Sequence, residues 1–89
     1  MTVRRRVRAH GRVQGVFFRD SVRRAAGRAG VSGWAANRSD GTVEAVFEGA
    51  PEAVERLVEL CRSGPGDAAV KRLDVADEPP EGLDGFRVG

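Results

Sequence analysis

The chain has 89 residues, of which 40% are hydrophobic and 31% charged, and its formal net charge is +2. This length fits one small domain over residues 1–89, and no apolar run approaches the roughly 20 residues of a membrane span. The basic N-terminus has no apolar stretch behind it, and the single cysteine, Cys61, cannot form an internal disulfide, so we predict a cytoplasmic protein without membrane association.

A strand and a helix are predicted first. Residues 3–13 alternate between apolar and basic side chains, which indicates a strand with one buried face and its arginines on the other face. The apolar positions are Val3, Val7, Ala9 and Val13. Apolar residues then recur at helical spacing. These are Phe18, Val22, Ala25, Ala26 and Ala29. The spacing predicts a helix over 18–29 with Gly30 as a left-handed cap.

The rest of the chain alternates between strands and one helix. The predicted strands cover about 33–38, 42–48, 69–77 and 86–88. Asp40-Gly41 marks a hairpin turn, because such a turn needs positive φ. A second helix begins at Pro51, and Gly64-Pro65-Gly66 ends it. The order β-α-β-β-α-β, with a small terminal strand, predicts an α+β ferredoxin-like fold with two helices on one face of an antiparallel sheet.

The junction of the first strand and the first helix, Gly11 to Arg19, has the features of an anion site. Successive backbone N–H groups at such a junction can form an anion-binding concavity, and a helix start adds unpaired donors. Gly15 allows backbone conformations that other residues avoid. Arg19 can offer a planar, charged fork to phosphate oxygens. The stretch therefore predicts a phosphate-binding loop.

Positive charge is concentrated in the same third of the chain. Residues 1–30 carry nine arginines against one acid, Asp20, whereas acids are in excess in the rest. This imbalance favours an anionic partner, either a phosphate ligand or a nucleic acid, without choosing between them. Asp20 is expected to pair with Arg23 or Arg24 at helical spacing, since facing the phosphate it would weaken anion binding.

A second informative stretch, Gly33 to Glu44, contains Asn37 near the end of the second strand. Its amide is both donor and acceptor, so it can orient a water molecule without titrating. The fold can bring it near the loop. Trp34 is expected to pack, and Asp40 with Gly41 to serve the turn.

The two stretches together resemble the acylphosphatase family. They read Gly-x-Val-Gln-Gly-Val-x-Phe-Arg at 11–19 and Gly-Trp-x-x-Asn-x-x-Asp-Gly-x-Val-Glu at 33–44. The resemblance implies metal-free and cofactor-free hydrolysis of a small-molecule acyl phosphate to a carboxylate and phosphate. It assigns the phosphate-wrapping loop to Val13, Gln14, Gly15, Val16, Phe17 and Phe18. It further implies that Arg19 binds the phosphate and Asn37 orients the attacking water. The closing strand, 86–89, is expected to matter for stability more than for catalysis.

Two other functions share this topology. An RNA-recognition domain stacks bases on aromatic residues of its central strands. Here only Phe47 is available, and Glu44 and Glu48 would repel a phosphate backbone, although arginines of the first strand could bind RNA weakly. A phosphate-sensing domain without a role in turnover is the other alternative. We expect a monomer with no specific nucleic-acid partner, and the sequence leaves open which acyl group is the physiological one.

Overall fold

Five strands and two helices alternate along the chain in the predicted order. The computed structural model describes residues 1–89. Its elements are β1 (Val3–Arg12), α1 (Phe18–Ala29), β2 (Ser32–Asn37), β3 (Val43–Gly49), α2 (Pro51–Ser63), β4 (Ala69–Glu78) and β5 (Phe86–Val88). The predicted ferredoxin-like fold is confirmed, and Gly30 is the left-handed cap of α1.

The sheet has the strand order β4-β1-β3-β2-β5. β1 pairs antiparallel with both β3 and β4, and β2 pairs antiparallel with β3. The predicted antiparallel sheet has one exception, because β5 runs parallel to β2 at the edge opposite β4. The connection between β4 and β5 therefore has to pass from one side of the sheet to the other.

Both helices cover one face of the sheet and bury the core against it. The buried residues of α2 are Val54, Leu57, Val58 and Cys61. Burial raises the pKa of the Cys61 thiol to about 12, so this cysteine is an uncharged core residue at neutral pH. Neither helix has the length and apolar content needed to cross a membrane.

The helix-free face differs from the solvated arginine face that alternation in β1 predicts. Arg4 is only 4% exposed. Its Nη1 lies 2.6 Å from Glu48 and its Nε lies 2.9 Å from Glu78. Arg6 lies 2.6 Å from Glu78 and 2.9 Å from Glu44. The cause is the register: β1 lies between two strands that carry acids opposite its arginines, so the charges pair across the sheet.

Glu48 connects this charged face to the segment that leads to β5. Its carboxylate accepts hydrogen bonds from the backbone N–H groups of Glu81, Gly82 and Leu83, at 2.9, 3.1 and 3.1 Å. Burial alone would raise the pKa of Glu48, but these backbone donors and Arg4 outweigh it and lower the pKa. The buried carboxylate is therefore ionised and orders the crossing segment.

We predict that Glu48→Gln lowers the free energy of unfolding by about 3 kcal/mol, because it leaves the buried Arg4 without one of its partners. Denaturant unfolding at neutral pH measures this change. Glu55→Gln is the matched control, since that carboxylate also pairs with an arginine but is 50% exposed; its cost should stay below about 1 kcal/mol. Equal effects of the two substitutions would contradict a special role for the buried pair.

A second prediction concerns the stability of the protein at low pH. Hydrogen bonds from Arg6 and then Arg4 lower the pKa of Glu78 from 4.5 to about 2. Because the folded pKa lies below the unfolded one, this carboxylate stabilises the fold above about pH 4.5, and the contribution is lost as the pH falls toward 2. We expect the difference in melting temperature between the protein and Glu78→Gln to shrink over that window. A difference that stays constant with pH would contradict the assignment.

Candidate functional site

The loop between β1 and α1 curls through alternating backbone conformations. Gly15 has φ 72° and Phe17 has φ 62°, whereas Val16 between them does not have positive φ. Alternation of this kind turns successive N–H groups toward one side and makes an anion-binding concavity. Phe17 is also the residue that caps α1, and no side chain accepts from the N–H groups that open the helix. These donors are therefore available to a ligand.

A cavity of about 280 Å³ lies at this loop. It is lined by Val13, Gly15, Phe17, Phe18, Arg19, Asp20 and Asn37. Of the eight residues predicted for the site, six line the cavity, and the fold brings Asn37 from the end of β2 to the start of α1. The two that do not line it are Gln14 and Val16.

Gln14 instead joins the loop to the β2–β3 hairpin. Its side-chain Nε2 donates to the carbonyl oxygens of Arg38 and Thr42, at 2.8 and 2.9 Å. Arg38 directly follows Asn37. Gln14 therefore sets the separation between the loop and the strand end that carries Asn37.

The connection between α2 and β4 supports the loop from behind. The buried Val16 accepts at its carbonyl oxygen from the N–H of Asp67, at 3.3 Å. Gly66 has φ +65°, and a Cβ at this position would lie 2.7 Å from the Val16 oxygen. The sequence predicts Gly64-Pro65-Gly66 only as the end of a helix. Its second role was missed because a contact with a loop fifty positions earlier leaves no local pattern.

Arg19 has a backbone partner from the end of β5. Its Nη1 donates to a main-chain oxygen of Gly89, and the Gly89 N–H donates to the carbonyl oxygen of Ala35 in β2 at 3.0 Å. The closing segment, expected to matter mainly for stability, thus also contacts the arginine of the site. A guanidinium has five N–H donors, so one such contact can orient Arg19 and leave donors for a ligand.

Asp20 lies at the cavity edge but is paired. Arg23 donates to one carboxylate oxygen at 2.6 Å, and Arg24 lies 3.3 Å from the other, as the helical spacing predicts. The Arg23 hydrogen bond is the main cause that lowers the pKa of Asp20. The carboxylate is ionised at neutral pH, and two arginines oppose its charge.

Two other side chains that could contact a ligand, His10 and Trp34, lie outside this cavity. His10 contacts Asp74 at 2.8 Å on the helix-free side. The Trp34 ring contacts two guanidinium groups, with the Cζ of Arg6 5.5 Å and the Cζ of Arg38 5.4 Å from its centroid. No group of three or more His, Cys, Asp and Glu side chains is arranged to hold a metal ion.

A second cavity of about 290 Å³ lies over β1 and β4 on the helix-free side. Its charged residues include Arg6, Arg8 and Glu44. Glu44 lies 2.9 Å from Arg6 and 3.5 Å from Arg8, so these charges already neutralise one another. The cavity at the loop is the better candidate, because Arg19 donates there to a main-chain oxygen of Gly89 and pairs with no Asp or Glu side chain.

Comparison with known proteins gives one consistent result. The acylphosphatase family model matches residues 5–88. An acylphosphatase of Gloeobacter violaceus is 58% identical over 86 residues, which cover 92% of each chain. One of Thermococcus kodakarensis is 55% identical and covers 97% of this chain and 94% of its own. The solved structure of an acylphosphatase from Coxiella burnetii superposes with a TM-score of 0.93 at 38% identity, covering 99% of this chain and 93% of that one.

We predict that Gln14→Leu loosens the loop, because it removes both hydrogen bonds to the hairpin. The expected cost is about 1–2 kcal/mol in the free energy of unfolding. Asn37 is the only asparagine, so its side-chain NH₂ signals in an ¹⁵N spectrum report on the strand end, and they should shift. Ser63→Ala is the control, since it removes a side-chain hydrogen bond to Leu60 far from the cavity. Unchanged Asn37 signals in Gln14→Leu would contradict the link.

Proposed function

Because the chain belongs to the acylphosphatase family and is a hydrolase of acyl phosphates, we propose that hydrolysis takes place in the cavity between the β1–α1 loop and the end of β2. The observation that carries the proposal is the joint lining of this cavity by Arg19, Asn37 and the curled loop. In this mechanism the loop and Arg19 bind the phosphoryl group, and Asn37 orients the attacking water. The reaction uses no metal ion.

Phosphate binding is supported by three groups of donors that converge on the cavity. The backbone N–H groups around Gly15 and Phe17 form a concavity, and the start of α1 adds its unpaired N–H groups and the positive end of its dipole. Arg19 adds a full positive charge. Together they compensate the two negative charges of the phosphoryl group before and during the reaction.

In the chemical step the oxygen of the water held by Asn37 attacks phosphorus. The bond between phosphorus and the bridging acyl oxygen breaks, and the electron pair leaves with the carboxylate. One proton of the water passes to a non-bridging oxygen of the same phosphoryl group. The products are a carboxylate and inorganic phosphate, and the total charge is conserved.

The proton goes to the substrate because no side chain nearby is a suitable base. Asp20 is the only carboxylate that lines the cavity, and its arginine partners lower its pKa, which makes it a poor base at neutral pH. His10 lies on the other face, against Asp74. An acyl phosphate has a good leaving group, so positioning and charge stabilisation are the main contributions required of the protein.

The substrate is a small-molecule acyl phosphate, and we propose that residues 1–89 act on it as one cytoplasmic, monomeric domain without a nucleic-acid partner. The pairing of the β1 arginines with acids supports the last point, because it removes the unopposed positive surface that RNA would bind. The large exposed apolar side chains include Phe17 in the β1–α1 loop, Val75 in β4 and Val88 in β5, and their distribution over three segments supports a monomer.

The test is hydrolysis of benzoyl phosphate in excess EDTA. We expect Arg19→Ala and Asn37→Ala each to lower kcat by about 10²–10³, because each removes a group that stabilises or orders the transition state. Arg28→Ala is the matched control: it removes an exposed arginine from the last turn of the same helix and should keep the full rate. Circular dichroism checks that every variant is folded.

A near-normal rate for folded Arg19→Ala would remove that residue from the mechanism, and inhibition by EDTA would overturn the metal-free reaction. The phosphate-sensing alternative predicts a different pattern. Inorganic phosphate would then shift the Asn37 NH₂ signals, although the protein would turn over neither benzoyl nor acetyl phosphate.

A further inference from the structure

Resting on the function proposed for this cavity, we propose that Phe17 contacts the acyl group of the substrate and makes the enzyme prefer aromatic and other large apolar acyl groups over small ones. The loop and Arg19 address the phosphoryl group, which every acyl phosphate shares. Discrimination between acyl groups therefore needs a separate contact.

Phe17 is the apolar side chain at the cavity that is free to make that contact. It is 71% exposed, whereas the other two apolar lining residues, Val13 and Phe18, are buried in the core. Binding is favoured when a ligand removes an aromatic ring from water, and it is favoured most when the ligand group that covers the ring is itself aromatic. The side chain of Phe17 is thus the apolar surface at the cavity that is still exposed to water.

The backbone of Phe17 makes its identity unusual. It is the only residue other than glycine with positive φ, at φ 62° and ψ 22°. Glycine adopts this left-handed conformation freely, whereas a side chain with a Cβ is disfavoured there. The conformation is held by neighbours, since the Phe17 carbonyl accepts from the N–H of Ser21 at 3.0 Å. A phenylalanine in this backbone conformation has a conformational cost that glycine would not have. This cost indicates that the ring itself has a function.

The reaction geometry directs the acyl group toward the loop. In-line displacement puts the leaving carboxylate opposite the attacking water. If Asn37 holds the water at the β2 wall of the cavity, the acyl group points to the facing wall, which the loop forms.

The experiment compares kcat/KM for benzoyl phosphate and acetyl phosphate in the protein and in three variants. Phe17→Asn removes the ring and keeps a residue that tolerates the left-handed backbone, and Phe17→Gly removes it with no backbone strain. Phe17→Tyr keeps the ring and is the matched control. We expect the benzoyl-to-acetyl ratio to fall about tenfold in the first two variants, which corresponds to about 1.4 kcal/mol, and to stay unchanged in Phe17→Tyr.

A ratio that Phe17→Asn and Phe17→Gly leave unchanged would overturn the proposal, whether both rates persist or both fall together. The ratio cancels any general effect of the loop on phosphate binding, so it isolates the acyl contact. Failure of the proposed mechanism has a different signature, namely folded Arg19→Ala that hydrolyses both substrates normally. The two results can therefore be told apart.

Discussion

The geometry of the β1–α1 loop depends on contacts that hold its backbone from two sides. Gln14 ties it to the hairpin that carries Asn37, with hydrogen bonds of 2.8 and 2.9 Å. On the other side, Gly66 packs against the Val16 carbonyl, and the neighbouring Asp67 donates to it. If the loop binds phosphate as we propose, its affinity depends mainly on backbone N–H groups, and therefore on how well these supports fix the loop.

The charged face on the far side of the sheet is connected to the same site through the chain. Buried Glu48 pairs with Arg4 and also accepts the N–H groups at 81–83, which fixes the segment that crosses from β4 to β5. β5 then lies parallel to β2, and Gly89 reaches Arg19. A buried ion pair of this kind adds little stability over an apolar pair, but removing one partner is costly. Its contribution here is to specify where the closing segment runs, and hence what orients Arg19.

Local signals in the sequence predict the helices and strands, and they also mark the β1–α1 loop of the candidate site. The Gly30 cap, the Asp40-Gly41 turn and Pro51 each act on their own neighbours, so the boundaries lie within one residue of those expected. The loop and Arg19 are contiguous, so the sequence predicts them together as part of the candidate site. The contacts that Gln14, Gly66 and Gly89 make with this region could not be predicted, because they join residues far apart in the chain. The burial of Arg4 was missed for the same reason, since alternation separates two faces of a strand without saying which acids lie opposite.

The distribution of charge shows most clearly what the sequence alone does not predict, namely which charges pair in the fold. The excess of arginine in residues 1–30 predicts an anionic partner, yet most arginines of β1 are matched by acids of β3 and β4 once the strands pair. On α1, Arg23 and Arg24 are engaged by Asp20. Arg19 differs from these because its hydrogen bond goes to a main-chain oxygen of Gly89 and to no Asp or Glu side chain, and it lines the cavity at the β1–α1 loop. In the proposed mechanism, attraction for phosphate therefore depends on where a guanidinium lies relative to the N–H donors of this loop, and the number of arginines in the sequence is a poor measure of it.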